Sequence, residues 1–197
     1  MYNRKDSYYK KAKQSGFRSR AAYKIIEINN KYKIIKKGDK VLDAGCAPGG
    51  WSQAVSSIVG NKGVIVGIDI LDMPPLDISN FHFIKGDLLK NETLDKAKSI
   101  CHEYDVVISD AAPNTTGNRL TDHVNSLELV TTVFNFTKKV LKSGGNFLFK
   151  LFDGEDREDF IKDLRNFFSK VKIIRPDATR KNSFEIYVVC QEFKKDG

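Results

Sequence analysis

The stretch Val41-Leu42-Asp43-Ala44-Gly45-Cys46-Ala47-Pro48-Gly49-Gly50-Trp51 constrains this chain more than any other. It reads as a buried strand, a glycine-rich turn and the start of a helix. Such a turn sets backbone N–H groups and the positive end of a helix against a bound ligand. A Walker phosphate loop needs Gly-Lys followed by Ser or Thr, with the lysine on phosphate and the hydroxyl on magnesium. Here Trp51 and Ser52 follow the glycines. A dinucleotide loop needs a middle glycine where the backbone meets a pyrophosphate. Ala47 fills that position between Gly45 and Gly50, and Pro48 removes an N–H donor. The loop therefore suits a nucleoside without a pyrophosphate. A turn with no ligand would need one glycine, not a cluster of glycines beside a proline.

Two further apolar runs end in carboxylates. Val64-Ile65-Val66-Gly67-Ile68-Asp69 places an acid about 20 residues past the loop, where nucleotide folds keep the residue that holds the ribose hydroxyls. Phe81-His82-Phe83-Ile84-Lys85-Gly86-Asp87 ends the same way, and Asp87 is suited to accept from an adenine amino group. Either acid alone reads as a turn residue at a strand end. Their order after this loop makes them a nucleoside pocket with Asp43, Gly45, Pro48, Gly49, Gly50 and Trp51.

At 197 residues and 41% hydrophobic content the chain is expected to form one domain with a real core, preceded by a basic extension over residues 1–24. No apolar run approaches the roughly 18 residues of a membrane helix, and no secretory signal is visible. Cys46, Cys101 and Cys190 are odd in number and widely spaced, which argues against a disulfide framework and for a reducing compartment. Cys46 reads as a packed small side chain and His82 as a packed or surface residue. With His102 and His123 equally isolated, no metal site is expected.

The formal net charge of +8 points to an anionic partner. Residues 1–24 carry Arg4, Lys5, Lys10, Lys11, Lys13, Arg18, Arg20 and Lys24 against Asp6 alone, interleaved with Tyr2, Tyr8, Tyr9, Phe17 and Tyr23. Cations neutralise phosphates and exposed aromatics stack on unpaired bases, so this segment is read as a nucleic-acid contact. A solvated helix face or a targeting arm would look similar. The second run, Lys31, Lys33, Lys36, Lys37 and Lys40, leaves the two readings evenly balanced.

Periodicity predicts helices over 20–30, 51–59, 92–102, 122–141 and 156–169, the fourth stopped by Gly144-Gly145. It predicts strands over 41–44, 64–69, 81–84, 106–108, 146–151, 171–174 and 184–190, the last two antiparallel across a short connection. Alternating strands and helices imply an α/β fold with a mostly parallel sheet covered on both faces, its ligands outside the strand C-terminal ends. The turn, Asp69, Asp87 and Asp110 all fall there. The Phe160, Ile161, Leu164, Phe167 and Phe168 stripe reads as core.

Five segments then resemble one family. Arg18-Ser19-Arg20-Ala21-Ala22-Tyr23-Lys24, the Asp43-to-Gln53 turn, Ser109-Asp110-Ala111-Ala112-Pro113-Asn114 and Phe149-Lys150-Leu151-Phe152 match FtsJ/RrmJ methyltransferases in order, and Arg180-Lys181-Asn182-Ser183-Phe184-Glu185-Ile186-Tyr187 matches their C-terminal motif. The resemblance covers almost the whole chain. It implies a Rossmann-like, seven-stranded methyltransferase fold with one antiparallel strand, S-adenosylmethionine (SAM) as cofactor, and RNA 2′-O-ribose methylation. It also implies a catalytic tetrad on Lys24, Asp110, Lys150 and Glu185, with Asp110 touching cofactor too, and RNA contacts from the basic arm and Arg180.

A ribose hydroxyl is a poor nucleophile at neutral pH, so such an enzyme must align oxygen, methyl carbon and sulfur and help a proton leave. Alignment supplies roughly 7–11 kcal/mol, and a positioned proton acceptor about 10²–10⁴-fold. The family assigns Lys150 as the base. An ordinary lysine is protonated at neutral pH, so base and electrostatic clamp for the developing oxyanion stay open as readings. Individually, Lys24 also reads as a phosphate contact, Lys150 as a strand-end surface residue and Glu185 as an edge-strand charge.

Gly49-Gly50-Trp51 and Ser109–Asn114 follow the ribosomal branch, which points to large-subunit rRNA or the large ribosomal subunit, and to an A-loop uridine. The Asp6–Lys13 segment and the Val188–Gln191 ending look closer to tRNA anticodon-loop relatives. A non-catalytic RNA-binding protein retaining the fold would have an eroded tetrad, and a small-molecule methyltransferase would not need the basic aromatic arm. A cytoplasmic or organelle-matrix monomer is expected.

Overall fold

The computed structural model describes residues 7–180 and 183–195. Arg4, Lys5 and the Lys181-Asn182 pair lie outside them. The chain runs α1 (Ser7–Gln14), α2 (Ala22–Tyr32), β1 (Lys40–Ala44), α3 (Gly50–Val59), a 3₁₀ turn (Gly60–Lys62), β2 (Val64–Asp69), β3 (Phe81–Lys85), α4 (Asn91–Ile100), β4 (Tyr104–Ser109), α5 (Arg119–Val140), β5 (Leu141–Phe152), α6 (Arg157–Phe167), β6 (Phe168–Ile174) and β7 (Glu185–Phe193). The strands form one sheet ordered β3-β2-β1-β4-β5-β7-β6, in which β7 alone runs against both neighbours.

Strand alternation builds the two layers. In β1, Leu42 and Ala44 join a core that contains buried residues of α4, α5 and α6, while Val41 joins a second core with Ile25 and Ile28 of α2 and Val55 and Val59 of α3. In β4, Val107 goes to the first side, and Val106 and Ile108 go to the second. Continuous apolar runs are what a strand buried on both faces requires. The predicted aromatic stripe is core: Phe134 of α5 meets Phe160, Phe167 and Phe168 at centroid distances of 5.4–6.5 Å.

Three local readings change. Helix α1 lies inside the segment read only as a basic arm; its Ala12 is buried, and Tyr8 packs on Tyr23 of α2 at 5.7 Å. Helix α5 starts earlier than predicted because Asn118 caps it, its side chain accepting from the Thr121 N–H at 3.1 Å. It stops at Val140 without a glycine: Leu141 turns extended and pairs with Tyr104, and Gly144-Gly145 lie within β5 beside an irregularity in its pairing with β4. Among the described residues no helix is long and apolar enough to cross a membrane, and no metal-binding cluster of His, Cys, Asp or Glu occurs.

Candidate active site

Parallel strands bring the C-terminal ends of β1, β2, β3, β4 and β5 to one rim, and the start of antiparallel β7 joins them there: Phe152 pairs with Glu185 and Lys150 with Tyr187. Lys150, near the end of β5, sends Nζ to the Asp110 carbonyl oxygen at 2.6 Å and lies 3.2 Å from Asp110 Oδ1. Lys24, on α2, donates to Glu185 Oε2 at 3.0 Å and to the Tyr187 hydroxyl at 2.6 Å. Tyr187 in turn donates to Asp110 Oδ1 at 2.7 Å. The four predicted residues therefore form one polar chain, Glu185–Lys24–Tyr187–Asp110–Lys150, with both lysines buried.

Tyr187 was not anticipated. The signal was available: residues two apart on a strand share a face, so a functional Glu185 places Tyr187 beside it. Burial, reinforced by the charges of Asp110 and Glu185, holds its phenol well above the ordinary range, so it remains a neutral donor. Burial also pushes the Glu185 carboxyl up, but Lys24, its hydrogen bond and Lys150 outweigh that and hold the group below its usual range. Arg20, whose charge is disfavoured by burial and by nearby Arg180, reaches across to the Ala178 carbonyl. Arg20, Lys24, Phe152, Phe184 and Glu185 line a cavity of about 430 Å³.

The glycine turn lies beside this rim. Gly45 and Gly49 have φ of 77° and 102°, and a Cβ on Gly45 would come within 2.5 Å of the Ala111 Cβ. Gly50 and Trp51 open α3, so their N–H groups precede its first backbone bond, Gln53 N–H to the Gly49 carbonyl, and suit an anionic group. Asp69 Oδ2 accepts from the Ala47 N–H at 2.9 Å and Oδ1 from Leu71 at 2.8 Å; Asp87 Oδ1 accepts from Leu89 at 2.9 Å. Both acids stay half-buried at neighbouring strand ends. These features fit a cofactor made of a carboxylate, a ribose and an adenine.

Other predicted residues serve the pocket from behind. Asp43 is buried and accepts from the Ser52 hydroxyl at 2.7 Å; burial, with Asp110 and Asp69 nearby, pushes its carboxyl up to about 7. The Trp51 indole N–H donates to the Ala21 carbonyl at 2.9 Å, and Gln53 accepts from the Arg18 N–H at 2.7 Å. Arg18 spends its guanidinium on the carbonyls of Pro48, Pro74 and Pro75 at 3.2, 2.5 and 2.5 Å. A Cβ on Gly50 would strike Ser19. The glycine turn and the segment leading to Lys24 are thus strapped together. Pro48, at the far end of that strap, follows a cis peptide bond.

Lys10, Lys11, Lys13 and Arg180 are exposed. Tyr8 and Phe17 both pack on Tyr23, and Tyr9 is exposed at 58%. Lys31 lies in the last turn of α2, Lys33, Lys36 and Lys37 in the loop from α2 to β1, and Lys40 opens β1, at the sheet end opposite the site. His82 is exposed, and Cys46 is buried with its thiol pushed up by that burial.

Residues 17–193 match the model of the FtsJ-like methyltransferase family. The chain belongs to that family. It is 45% identical to the "Ribosomal RNA large subunit methyltransferase E" of Archaeoglobus fulgidus over 99% of this chain and 100% of that one. Identity to the protein of the same name from Methanothermobacter thermautotrophicus is also 45%, covering 97% and 91%. A crystal structure of a ribosomal RNA methyltransferase from Plasmodium falciparum superposes with a TM-score of 0.82 at 36% identity, covering 90% of this chain and 98% of that one. Fibrillarin from Aeropyrum pernix, solved with S-adenosyl-L-methionine bound, shares the fold at a TM-score of 0.62 and 19% identity, over 88% of this chain and 74% of that one. The FtsJ-like fold thus accounts for the sheet order and for the rim on which Lys24, Asp110, Lys150 and Glu185 meet.

Proposed function

We propose that this FtsJ-like methyltransferase transfers the methyl group of SAM to the 2′-hydroxyl of a ribose in large-subunit ribosomal RNA, a uridine of the A-loop. The observation that carries the reading is the Glu185–Lys24–Tyr187–Asp110–Lys150 chain at the mouth of a nucleoside-shaped turn. The names of the relatives support the RNA, and the ribosomal-type Gly49-Gly50-Trp51 turn supports the branch.

SAM supplies a methyl group made electrophilic by its sulfonium. Gly50 and Trp51 N–H groups hold its carboxylate, Asp69 its ribose hydroxyls and Asp87 its adenine amino group. Lys24 and Glu185, fixed to each other, orient the acceptor ribose. An ammonium has three N–H donors; two of those on Lys150 go to Asp110, and the third is left for the sugar oxygen as negative charge develops on it. Lys150 therefore acts as a clamp in this arrangement, and the hydroxyl proton passes to water as the ribose oxygen takes the methyl group. Tyr187 keeps Asp110 and Lys24 at fixed separation. Exposed Arg180, Lys10, Lys11 and Lys13, with Arg4 and Lys5, contact phosphates. One chain supplies every group, so a monomer suffices, at work wherever ribosomes are assembled.

The test offers labelled SAM with large ribosomal subunits, free rRNA or tRNA, then maps the modified nucleotide. Label in the 2′-O-methyl nucleoside of large-subunit rRNA is expected. Label confined to tRNA would overturn the substrate, and label on a base would overturn the acceptor atom.

A further inference from the structure

A second cavity, of about 480 Å³, opens at the same rim, lined by Arg119, Leu120, His123, Asp153, Gly154 and Glu155. It shares a wall with the cavity of about 430 Å³ beside Lys24 and Glu185. Phe152 lines the first, and the next two residues of the chain line the second. Phe184, which lines the first, packs on Phe152 at 4.7 Å, and the Arg119 guanidinium of the second lies 5.3 Å from the Phe184 ring. Phe152, Phe184 and Arg119 form a partition, with one hollow on each side. Two residues of chain span at most about 7 Å, a step that one sugar–phosphate linkage covers.

The chemistry of the second hollow is one-sided. Asp153 and Glu155 are carboxylates; Asp153 is held by Arg157 at 2.5 Å, and Glu155 has no partner among the described residues. His123 is buried, with Nδ1 2.7 Å from the Phe152 carbonyl oxygen. A carbonyl only accepts, so Nδ1 carries the hydrogen, and in the neutral ring Nε2 is an acceptor. That Nε2 has no hydrogen-bond partner among the described residues; Asp156 Oδ2 is 3.7 Å away. Gly154 packs so closely on the imidazole that a Cβ would lie 2.2 Å from it, which fixes the ring in the wall. Arg119, the one donor, makes no ion pair among the described residues and stands on the partition. Leu120, 62% exposed, adds an apolar face.

Carboxylates repel a phosphate, so the hollow does not suit the RNA backbone. They accept from exocyclic amino groups of bases, as acidic side chains do on cytosine N4. Bases splayed from a single strand offer those edges. We infer that this hollow is a second substrate subsite: it takes the base of the nucleotide adjacent to the methylated one, and it selects a base that bears an amino group. Arg119 stacks over the partition and holds the phosphate between the two nucleotides, and Glu155 reads the amino group. The inference rests on the proposed RNA reading.

The experiment uses the full-length protein, SAM and an RNA fragment carrying the mapped acceptor. Each neighbour of the acceptor is replaced in turn by the analogue without its amino group: inosine for guanosine, purine riboside for adenosine, uridine for cytidine. One such RNA is expected to raise KM about tenfold, the loss of one hydrogen bond to a charged group, with kcat held within about twofold. Glu155→Ala, on the surface, is expected to raise KM for the natural fragment and to treat both RNAs alike. Arg119→Gln is expected to raise KM for both. Wild-type KM insensitive to both neighbours, or discrimination surviving in Glu155→Ala, would overturn the subsite while leaving methyl transfer intact. No label in any RNA with wild-type protein would overturn the underlying reading, and the subsite with it.

Discussion

The Tyr187 hydroxyl takes a hydrogen bond from Lys24 Nζ at 2.6 Å and gives one to Asp110 Oδ1 at 2.7 Å. One phenol thereby joins the half of the site built on α2 and β7 to the half built on β4 and β5. It has no other route for its polar atom, being fully buried against Trp51 at 6.0 Å between ring centroids.

Tyr187→Phe keeps that packing and removes the link. Two partners lose a buried bond, so unfolding free energy should drop by about 1–3 kcal/mol, and kcat should fall by about tenfold as Lys24 and Asp110 drift apart. Denaturant melts and single-turnover methylation check both. Unchanged kcat with lowered stability would reduce Tyr187 to a packing residue.

Lys150→Ala removes the group set to face the sugar oxygen. Methyl transfer should fall by about 10²–10³-fold, the usual cost of one preorganised donor, while SAM affinity changes little. Equilibrium binding alongside turnover separates the two. An Ala variant that methylates at near wild-type rate would take Lys150 out of the reaction.

Much of this site was legible because it is local. The glycine turn, Asp69, Asp87 and Asp110 each end a strand, and parallel strands bring their C-terminal ends to one rim without further information. Lys24 and Glu185 sit 161 residues apart in the chain and were placed by resemblance rather than by pattern. What escaped was contact over distance. Arg18 reads as a cation in a basic arm, yet its guanidinium partners lie 30, 56 and 57 residues on. Tyr187 reads as an apolar strand residue until its neighbours are known. The end of α5 escaped for another reason: Leu141 leaves the helix because Tyr104 offers it a strand partner, which no propensity records.

The Arg18 contacts make a prediction that separates it from its basic neighbours. Its guanidinium joins the carbonyl of Pro48 in the glycine turn to those of Pro74 and Pro75 in the loop after β2. Arg18→Ala should loosen that bracket and weaken SAM binding about tenfold, the equivalent of about 1.4 kcal/mol, in protein free of RNA. Lys10→Ala should leave SAM affinity unchanged and reduce the salt dependence of RNA binding. Calorimetric titration with SAM decides it. An Arg18→Ala protein that binds SAM normally and loses RNA affinity alone would return Arg18 to the phosphate contacts.

Asp43 makes the pH dependence of the fold testable. Its folded carboxyl is raised to about 7 from an ordinary 3.8, mainly because burial penalises the charge. Between those values the folded state holds a proton that the unfolded state has released. Stability must then fall as pH rises through that window, the opposite of a salt-bridged acid. Below about pH 4 both states are protonated and the residue contributes nothing; above about pH 7 the loss is complete, on the order of 4 kcal/mol. Asp43→Asn keeps an oxygen to accept from Ser52 and abolishes the titration. Melting temperatures of the SAM-free proteins should therefore be similar near pH 4, with the variant pulling ahead between pH 5 and 7 and holding its lead above. A gap that stays flat across that range would mean that Asp43 ionises in the folded protein as it does in the open chain, and that the hydrogen bond from Ser52 offsets its burial.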